Sequence, residues 1–262
     1  MSNITTNIKS IRDIMRKDAG VDGDAQRISQ MVWMLFLKIF ADKEEEWELV
    51  LDDYESPIPE ELKWQNWAQD DEGLTGDQLT EFINNKLFPA LKDIDISYSP
   101  QAKIVKGVFE DTYNYMKNGT LFRQVISKIN KLDFNDSSES HLFNDFYEGM
   151  LKELQSAGAA GEYYTPRGIT RFMTDMINPQ LGESILDPAC GTGGFLTCSI
   201  EHVRKQVNTS EDRDVLQKSI IGVEKKPMPH LLCTTNLMLH GFDLPAVSRD
   251  NFLKKSYSST VK

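Results

Sequence analysis

A glycine-rich loop that follows an acid is the segment of this chain best suited to binding chemistry. The run Asp187-Pro188-Ala189-Cys190-Gly191-Thr192-Gly193-Gly194 comes after the apolar stretch Ile185-Leu186 and leads into a helical pattern. Glycines allow positive φ angles and let a ligand approach the backbone where a Cβ would collide. The first N–H groups of a helix lack intrahelical partners and can face a ligand. Such a loop at the carboxyl end of a parallel strand predicts a nucleoside site; the alternative is a tight structural turn.

The spacing after this loop argues against a dinucleotide. The NAD fingerprint needs a third glycine, and Leu196 occupies that position. The next acid at a strand end, Glu224, lies 30 residues past Gly194, where the fingerprint expects about 20. A carboxylate can accept hydrogen bonds from two adjacent hydroxyls, so Glu224 suits a ribose. The alternative for Glu224 is a solvated acid at a strand end.

A second candidate segment lies upstream of the glycine loop. Thr165-Pro166 predicts a helix start, with Thr165 as N-cap and Pro166 at the first helical position, and the helix extends to about Ile177. The N-terminus of that helix can bind an anion such as an amino-acid carboxylate. Taken alone, the pattern indicates only a capped helix.

Composition places the chain among globular proteins of a reducing compartment. Its 262 residues are 40% hydrophobic and 26% charged, enough for one large domain or two ordinary ones. The three cysteines form no disulfide framework and no zinc pattern, which predicts a cytoplasmic protein without a metal site. Cys190 and Cys198 are predicted to pack as small side chains rather than to act as nucleophiles. No segment predicts a membrane span.

The net charge of −11 disfavours unaided binding to DNA. Proteins that grip duplex DNA usually present lysines and arginines that displace counterions from the phosphates. We therefore expect either that this chain does not bind DNA or that partner chains supply most of the contact.

The chain divides into two regions of different pattern. Residues 1–155 read as a helical domain, in which the apolar positions between Ile28 and Phe40 recur at helical spacing. Asp77 is predicted as the N-cap of a helix extending to Leu87, and residues 142–154 carry a further helical pattern. The small residues 156–161 predict a linker.

Residues 156–262 alternate between strands and helices. Strands are predicted at 185–186, 219–223 and 246–248, with helices from Gly194 to about Val207 and from Pro229 to His240. Alternation of this kind favours a parallel, doubly wound α/β sheet of Rossmann-like type. The predicted fold is thus an α-helical N-terminal domain followed by part of an α/β doubly wound domain.

These motifs resemble those of a known enzyme family. The run from Asp187 to Phe195 resembles motif I of amino-group DNA methyltransferases, which bind S-adenosylmethionine. The run from Gly161 to Arg167 resembles the segment that precedes motif I in the γ-type order, near the methionine end of the cofactor. The resemblance implies a set of cofactor-binding residues: Tyr164, Thr165, Pro166, Asp187, Ala189, Gly191, Thr192 and Gly193. It also implies Glu224 at the ribose hydroxyls and Asp250 at the adenine.

The helical region resembles a second domain of the same kind of protein. Asp13-Ile14-Met15-Arg16 and the helix of residues 31–40 are similar to the N-terminal domain of the modification subunit of type I restriction–modification systems. That resemblance implies methyl transfer from S-adenosylmethionine to adenine N6. It implies a DNA-specificity subunit, a restriction subunit, duplex DNA and a second modification subunit as partners.

One departure from the family limits what this chain is expected to do. The catalytic Asn-Pro-Pro-aromatic motif is absent, because Asn178-Pro179-Gln180 precedes motif I and lacks the second proline. No catalytic residue is predicted, and the chain is expected to be an amino-terminal piece of a longer subunit. Two alternatives stay open: a non-catalytic cofactor-binding or assembly module, and a methyltransferase acting on protein glutamine or on RNA.

We expect no methyl transfer by the 262-residue chain alone, because nothing in it can receive the adenine amino group. The measurement is transfer of a labelled methyl group from S-adenosylmethionine to an adenine-containing duplex. Robust labelling of the duplex by the purified chain would contradict this expectation.

Overall fold

Residues 3–97, 99–132 and 165–254 are described by the computed structural model. The chain separates into two units, Met1–Glu162 and Tyr163–Lys262. The predicted boundary at residue 155, the linker of residues 156–161 and the helical pattern of residues 142–154 lie outside the described residues. Within the described ranges, no helix is long and apolar enough to cross a membrane.

The described part of the first unit is built from helices, as its sequence pattern predicts. They are α1 (Asn3–Met15), α2 (Gly23–Val50), α3 (Trp64–Trp67), α4 (Gly76–Phe82), α5 (Phe88–Lys92), α6 (Pro100–Phe109) and α7 (Gly119–Ile129). A 3-10 turn at Glu60–Leu62 precedes α3, and the π-helical turn Ile83–Leu87 joins α4 to α5.

Helix α2 forms the centre of this unit. Residues 31–37 of α2 are all buried, which is typical of a helix surrounded by others on every side. The Trp33 ring contacts Phe88, Phe109 and Phe122 at centroid distances of 5.1, 6.3 and 5.9 Å, each in an edge-to-face arrangement. Three other helices are therefore anchored on one side chain of α2.

The N-terminus of α4 differs from the prediction. The helix begins at Gly76, so its N-cap is Thr75 and not Asp77. Asp77 lies in the first turn, where a negative charge is stabilised by the helix dipole without making a capping bond. The prediction of Asp77 as N-cap was therefore wrong by two residues.

The second unit contains a three-stranded parallel sheet in the order β1-β2-β3 among its described residues. Its elements are α8 (Arg167–Ile177), β1 (Ile185–Asp187), α9 (Gly194–Arg204), α10 (Ser210–Ser219), β2 (Ile220–Glu224), α11 (Pro227–Leu239) and β3 (Ala246–Arg249). In the register of the sheet, Asp187 pairs with Gly222 and Glu224 with Arg249. The predicted fold class is confirmed, with a helical unit followed by part of a doubly wound sheet.

Helix α10 was not predicted from the sequence. It starts with a reciprocal cap, in which the Thr209 hydroxyl accepts a hydrogen bond from the Asp212 N–H at 3.1 Å. The Asp212 carboxylate in turn accepts one from the Thr209 N–H at 3.1 Å. The helix buries only Leu216 and Ser219, so its sequence carries almost no apolar periodicity.

Part of the second unit leaves apolar side chains exposed. Phe172, Met176 and Ile177 on α8 are 62%, 67% and 79% exposed, and Leu186 on β1 is 41% exposed. We refer to these four residues as the apolar strip. An open groove lined by Ile177, Leu186 and Phe195 runs along it.

Arg123 on α7 is bonded to the segment around the end of α3. Its buried guanidinium donates hydrogen bonds to the carbonyls of Trp67, Ala68, Asp70 and Leu74, at 2.7–3.1 Å. A buried charge is tolerated when its donors are satisfied in this way. The contacts tie the irregular segment after α3 to α7.

Replacing Arg123 with Met is expected to lower the free energy of unfolding by about 3 kcal/mol, because buried carbonyls lose their donor. All four tryptophans lie in the first unit, so tryptophan fluorescence during urea titration follows this unit selectively. The matched control is Arg16→Met, since Arg16 is half exposed and forms a surface ion pair with Asp13, with an expected loss below about 1 kcal/mol. Equal losses in the two variants would contradict the structural role of Arg123.

Candidate cofactor site at the glycine loop

The glycine loop lies between the end of β1 and the start of α9. Gly191 has φ +55° and Gly193 has φ +85°, so both adopt the left-handed region that the sequence predicts for them. The loop is fixed to β2, because the Cys190 N–H donates to the Val223 carbonyl at 3.0 Å. A Cβ placed on Gly191 would meet nothing within 4 Å, which leaves open space above the loop.

Glu224, at the end of β2, binds two backbone N–H groups. Its Oε2 accepts a hydrogen bond from Gly191 at 2.9 Å, and its Oε1 accepts one from Lys226 at 2.7 Å. The carboxylate thereby joins the loop after β1 to the loop after β2. Each carboxylate oxygen has two lone pairs, so Glu224 retains capacity to accept from a ligand hydroxyl.

Asp187, at the end of β1, is half buried beside the same loop. Its Oδ1 accepts one hydrogen bond from the Ala189 N–H at 3.1 Å. Burial raises the pKa of Asp187, and the nearby charge of Glu224 adds to this, while the Ala189 N–H opposes it. An acid in this setting gains from a positively charged or hydrogen-bond-donating ligand.

Helix α11 forms the floor of the loop. The Asn236 side chain donates to the Thr192 carbonyl at 3.2 Å. A Cβ on Gly193 would lie 2.8 Å from Cys233 Sγ, so only glycine fits there without a shift. Thr192 and Gly193 are both buried, which makes them supports of the loop rather than part of its open surface.

The cysteines are packing residues, as predicted for two of them. Cys190, Cys198 and Cys233 are all buried and free. A hydrogen bond with Cys190, together with burial, raises the pKa of the Cys233 thiol well above its usual value. A thiol held protonated in this way is a poor nucleophile.

Asp250 follows β3 on the same edge of the sheet. Its N–H donates to the Glu224 carbonyl at 3.0 Å, and its Oδ1 accepts from the Asn251 N–H at 2.7 Å. The ends of β1, β2 and β3 therefore bring Asp187, Glu224 and Asp250 to one edge of the sheet.

The start of α8 differs from the prediction by one residue. The helix begins at Arg167 with Pro166 as N-cap and without a side-chain capping bond, so the placement of Thr165 at the N-cap was wrong. The Pro166 carbonyl accepts from the Ile169 and Thr170 N–H groups at 2.8 and 3.2 Å, which closes the first turn with backbone alone. Thr165 and Pro166 are exposed, and Tyr164 lies outside the described residues.

Two supporting residues were not identified from the sequence. A Cβ on Gly222 would lie 3.0 Å from Leu196 Cδ1 and 3.1 Å from Cys190 Sγ, so its absence lets α9 and the loop pack on β2. A glycine inside an apolar strand indicates that another part of the protein or a ligand approaches the backbone closely, so the sequence does carry a signal for Gly222. Asn236 carries no comparable sequence signal.

Metal binding has no support in the described ranges of the chain. No three His, Cys, Asp or Glu side chains there are grouped to hold a metal ion. His202 instead hydrogen-bonds Asp175 and Asn178 at 2.9 Å each.

Comparison with known families assigns both units to one class of protein. Residues 4–129 match the HsdM N-terminal domain, and residues 138–261 match the N-6 DNA Methylase family. The class is therefore that of N-6 DNA methylases with a helical N-terminal domain.

The chain is also similar to individual proteins of type I restriction–modification systems. The chain is 59% identical to the methylase subunit of the type I restriction enzyme EcoEI of Escherichia coli, over 98% of this chain and 53% of that subunit. It matches a modification subunit assigned to a type I restriction enzyme of Vibrio vulnificus YJ016 with TM-score 0.81 and 42% identity, over 95% of this chain and 56% of the other. It also matches a chain of the type I restriction–modification system, from a structure concerned with complex assembly, with TM-score 0.86 and 31% identity, over 98% and 52%.

The chain belongs to the family of type I restriction–modification methylase subunits. It spans about half the length of the curated relatives it matches.

Gly193→Ala is expected to lower the free energy of unfolding by about 2–4 kcal/mol, since a positive φ and a clash with Cys233 both oppose it. Gly191→Ala is the matched control, because its φ is also positive but its Cβ would meet open space, with an expected loss of about 1 kcal/mol. Thermal unfolding followed by circular dichroism measures both. A larger loss for Gly191→Ala would contradict the proposed packing of the loop on α11.

Proposed function

We propose that this chain supplies the S-adenosylmethionine-binding part of a type I modification subunit, whose complete form transfers a methyl group to adenine N6 in duplex DNA. The observation that carries the proposal is the meeting of Asp187, the glycine loop and Glu224 at the ends of adjacent parallel strands. The family match and the 59% identity to the EcoEI methylase subunit support it.

The residues around the loop fit the chemistry of this cofactor. S-Adenosylmethionine carries a sulfonium and an ammonium, both of which are favoured beside the half-buried Asp187 carboxylate. Glu224 accepts from the ribose hydroxyls while it keeps its bonds to Gly191 and Lys226. Gly191 leaves room for close approach to the backbone, and the ligand would occupy the open space above it, while Gly193 lets the loop pack on α11.

We assign the remaining predicted contacts to the same ligand. Ala189 and Thr192 shape the loop, and Asp250 faces the adenine. Tyr164, Thr165 and Pro166 bind the methionine end, where the N-terminus of α8 favours the carboxylate of the amino acid. When it is bound, the cofactor supplies the activated methyl group.

The partners follow from the charge of the chain and from its family. A net charge of −11 gives little attraction to DNA phosphates. We therefore propose that a DNA-specificity subunit reads the sequence, that a restriction subunit joins the complex, and that two modification subunits pair. The three free, buried cysteines agree with a cytoplasmic location.

A second candidate function is an assembly module without catalysis. The apolar strip on α8 and β1 favours it, because a surface of this kind is typical of protein–protein contact. Methylation of protein glutamine or RNA is disfavoured, since the match to the HsdM N-terminal domain covers residues 4–129.

Calorimetry with S-adenosylmethionine tests the proposal on the 262-residue chain. We expect binding, and a loss of about tenfold or more in affinity for Asp187→Ala and for Glu224→Ala, because each removes a charged hydrogen-bonding group. Asp214→Ala is the control, since Asp214 is exposed on α10 away from the loop, and its affinity should equal that of the wild type. Absence of binding heat from the folded wild-type chain would contradict the proposal and favour the assembly module.

A further inference from the structure

Arg167, the first residue of α8, reaches across to the helix that begins at the glycine loop. Its Nη2 donates to Glu201 Oε1 at 2.7 Å, and its Nη1 donates to the Thr197 hydroxyl. The same Nη1 lies 3.5 Å from the Gly194 carbonyl. The Arg167 guanidinium thus contacts the first two turns of α9, at Gly194, Thr197 and Glu201.

Glu201 is the fixed acceptor of this arrangement. The His240 imidazole, 3.6 Å from Oε1, and the charge of Arg167 lower the pKa of Glu201 to about 2, so it stays ionised at neutral pH. His240 is itself held by α11, where its Nδ1 lies 2.8 Å from the Asn236 carbonyl. The Asn236 side-chain amide donates to the Thr192 carbonyl. Asn236 and His240 therefore link the glycine loop to Glu201.

Packing fixes the orientation of α8 beside the loop. The Thr170 hydroxyl lies 3.2 Å from Cys198 Sγ on α9. The Thr170 methyl lies 3.9 Å from the position that a Cβ on Gly194 would occupy. With Arg167 bonded at one end and Thr170 packed one turn later, the N-terminal turn of α8 has a defined place relative to Gly194.

Arg171 provides an internal comparison for Arg167. It lies one turn later on α8 and pairs with the other oxygen of Glu201, at 2.9 Å. Its side chain is 61% exposed, against 24% for Arg167, and its described bond reaches only Glu201. The two arginines share a helix, a charge and a partner, but only Arg167 contacts the start of α9.

We propose that Arg167 is a positioning residue that fixes the start of α8, and with it Thr165 and Pro166, relative to Gly194, so that one ligand can be bound at both segments simultaneously. The inference rests on the proposed function, because it concerns how the methyl donor is held. Arg167 contacts no ligand atom in this role; it acts through the place of the helix start. Its removal therefore weakens the grip on the amino-acid part of the donor and leaves the grip on the nucleoside part intact.

The test compares Arg167→Gln with Arg171→Gln in the full chain, using two probes. S-Adenosylmethionine has both parts, whereas 5′-deoxy-5′-methylthioadenosine has the same nucleoside without the amino acid. Calorimetry at up to millimolar concentrations should give about tenfold weaker S-adenosylmethionine binding for Arg167→Gln, with methylthioadenosine affinity within about twofold of the wild type. Arg171→Gln should leave both affinities unchanged, and circular dichroism confirms that each variant is folded.

Three results would overturn the positioning role of Arg167. They are an equal loss of affinity for both probes in Arg167→Gln, an S-adenosylmethionine affinity that Arg167→Gln leaves unchanged, and equal effects of Arg167→Gln and Arg171→Gln. A wild-type chain that binds neither probe refutes the proposed function itself, which separates that failure from failure of the present inference.

Discussion

The hydrogen bonds of Glu224 are the contacts on which the candidate site depends. The carboxylate binds the Gly191 and Lys226 N–H groups, and the carbonyl of the same residue binds the Asp250 N–H. One residue thus touches the segments that follow all three described strands. Charge-assisted bonds to backbone N–H groups are stronger than neutral ones, so they keep a glycine loop of high conformational freedom in one shape. The sheet fixes the positions of the ends of β1 and β2. The hydrogen bond from Gly191 to Glu224 then holds the loop after β1 in one conformation.

The acids of the site also set the kind of ligand that the loop accepts. Glycine loops before helices commonly bind phosphate, because their N–H groups face an anion. Here Asp187 and Glu224 lie beside the loop, and Glu224 already accepts the Gly191 N–H. A phosphate in that place would be repelled by two carboxylates, whereas a ligand with positive charge and hydroxyl groups would be attracted. The same loop shape therefore serves different chemistry because the adjacent strand ends carry acids.

Features of this chain that depend on neighbouring residues can be predicted from its sequence, whereas features that depend on contacts between distant residues cannot. The strands, the positive φ of Gly191 and Gly193, and the alternation of the second unit follow from short apolar runs and glycines, and were predicted. The N-caps predicted at Thr165 and Asp77 were misplaced, because a helix can begin without a side-chain capping bond, as α4 and α8 both do. Asn236 supports Thr192 from 44 positions away in sequence, a pairing that no window of residues contains. The four carbonyls bound by Arg123 are equally non-local, 49 to 56 positions from it.

Because of the apolar strip on α8 and β1, association between copies of this chain depends on its concentration. Each exposed Å² of apolar surface costs about 25 cal/mol in water, so any body with a matching face lowers the free energy by covering it. Phe172, Met176 and Ile177 of two chains can cover one another, and the fraction of chains joined in this way rises with protein concentration.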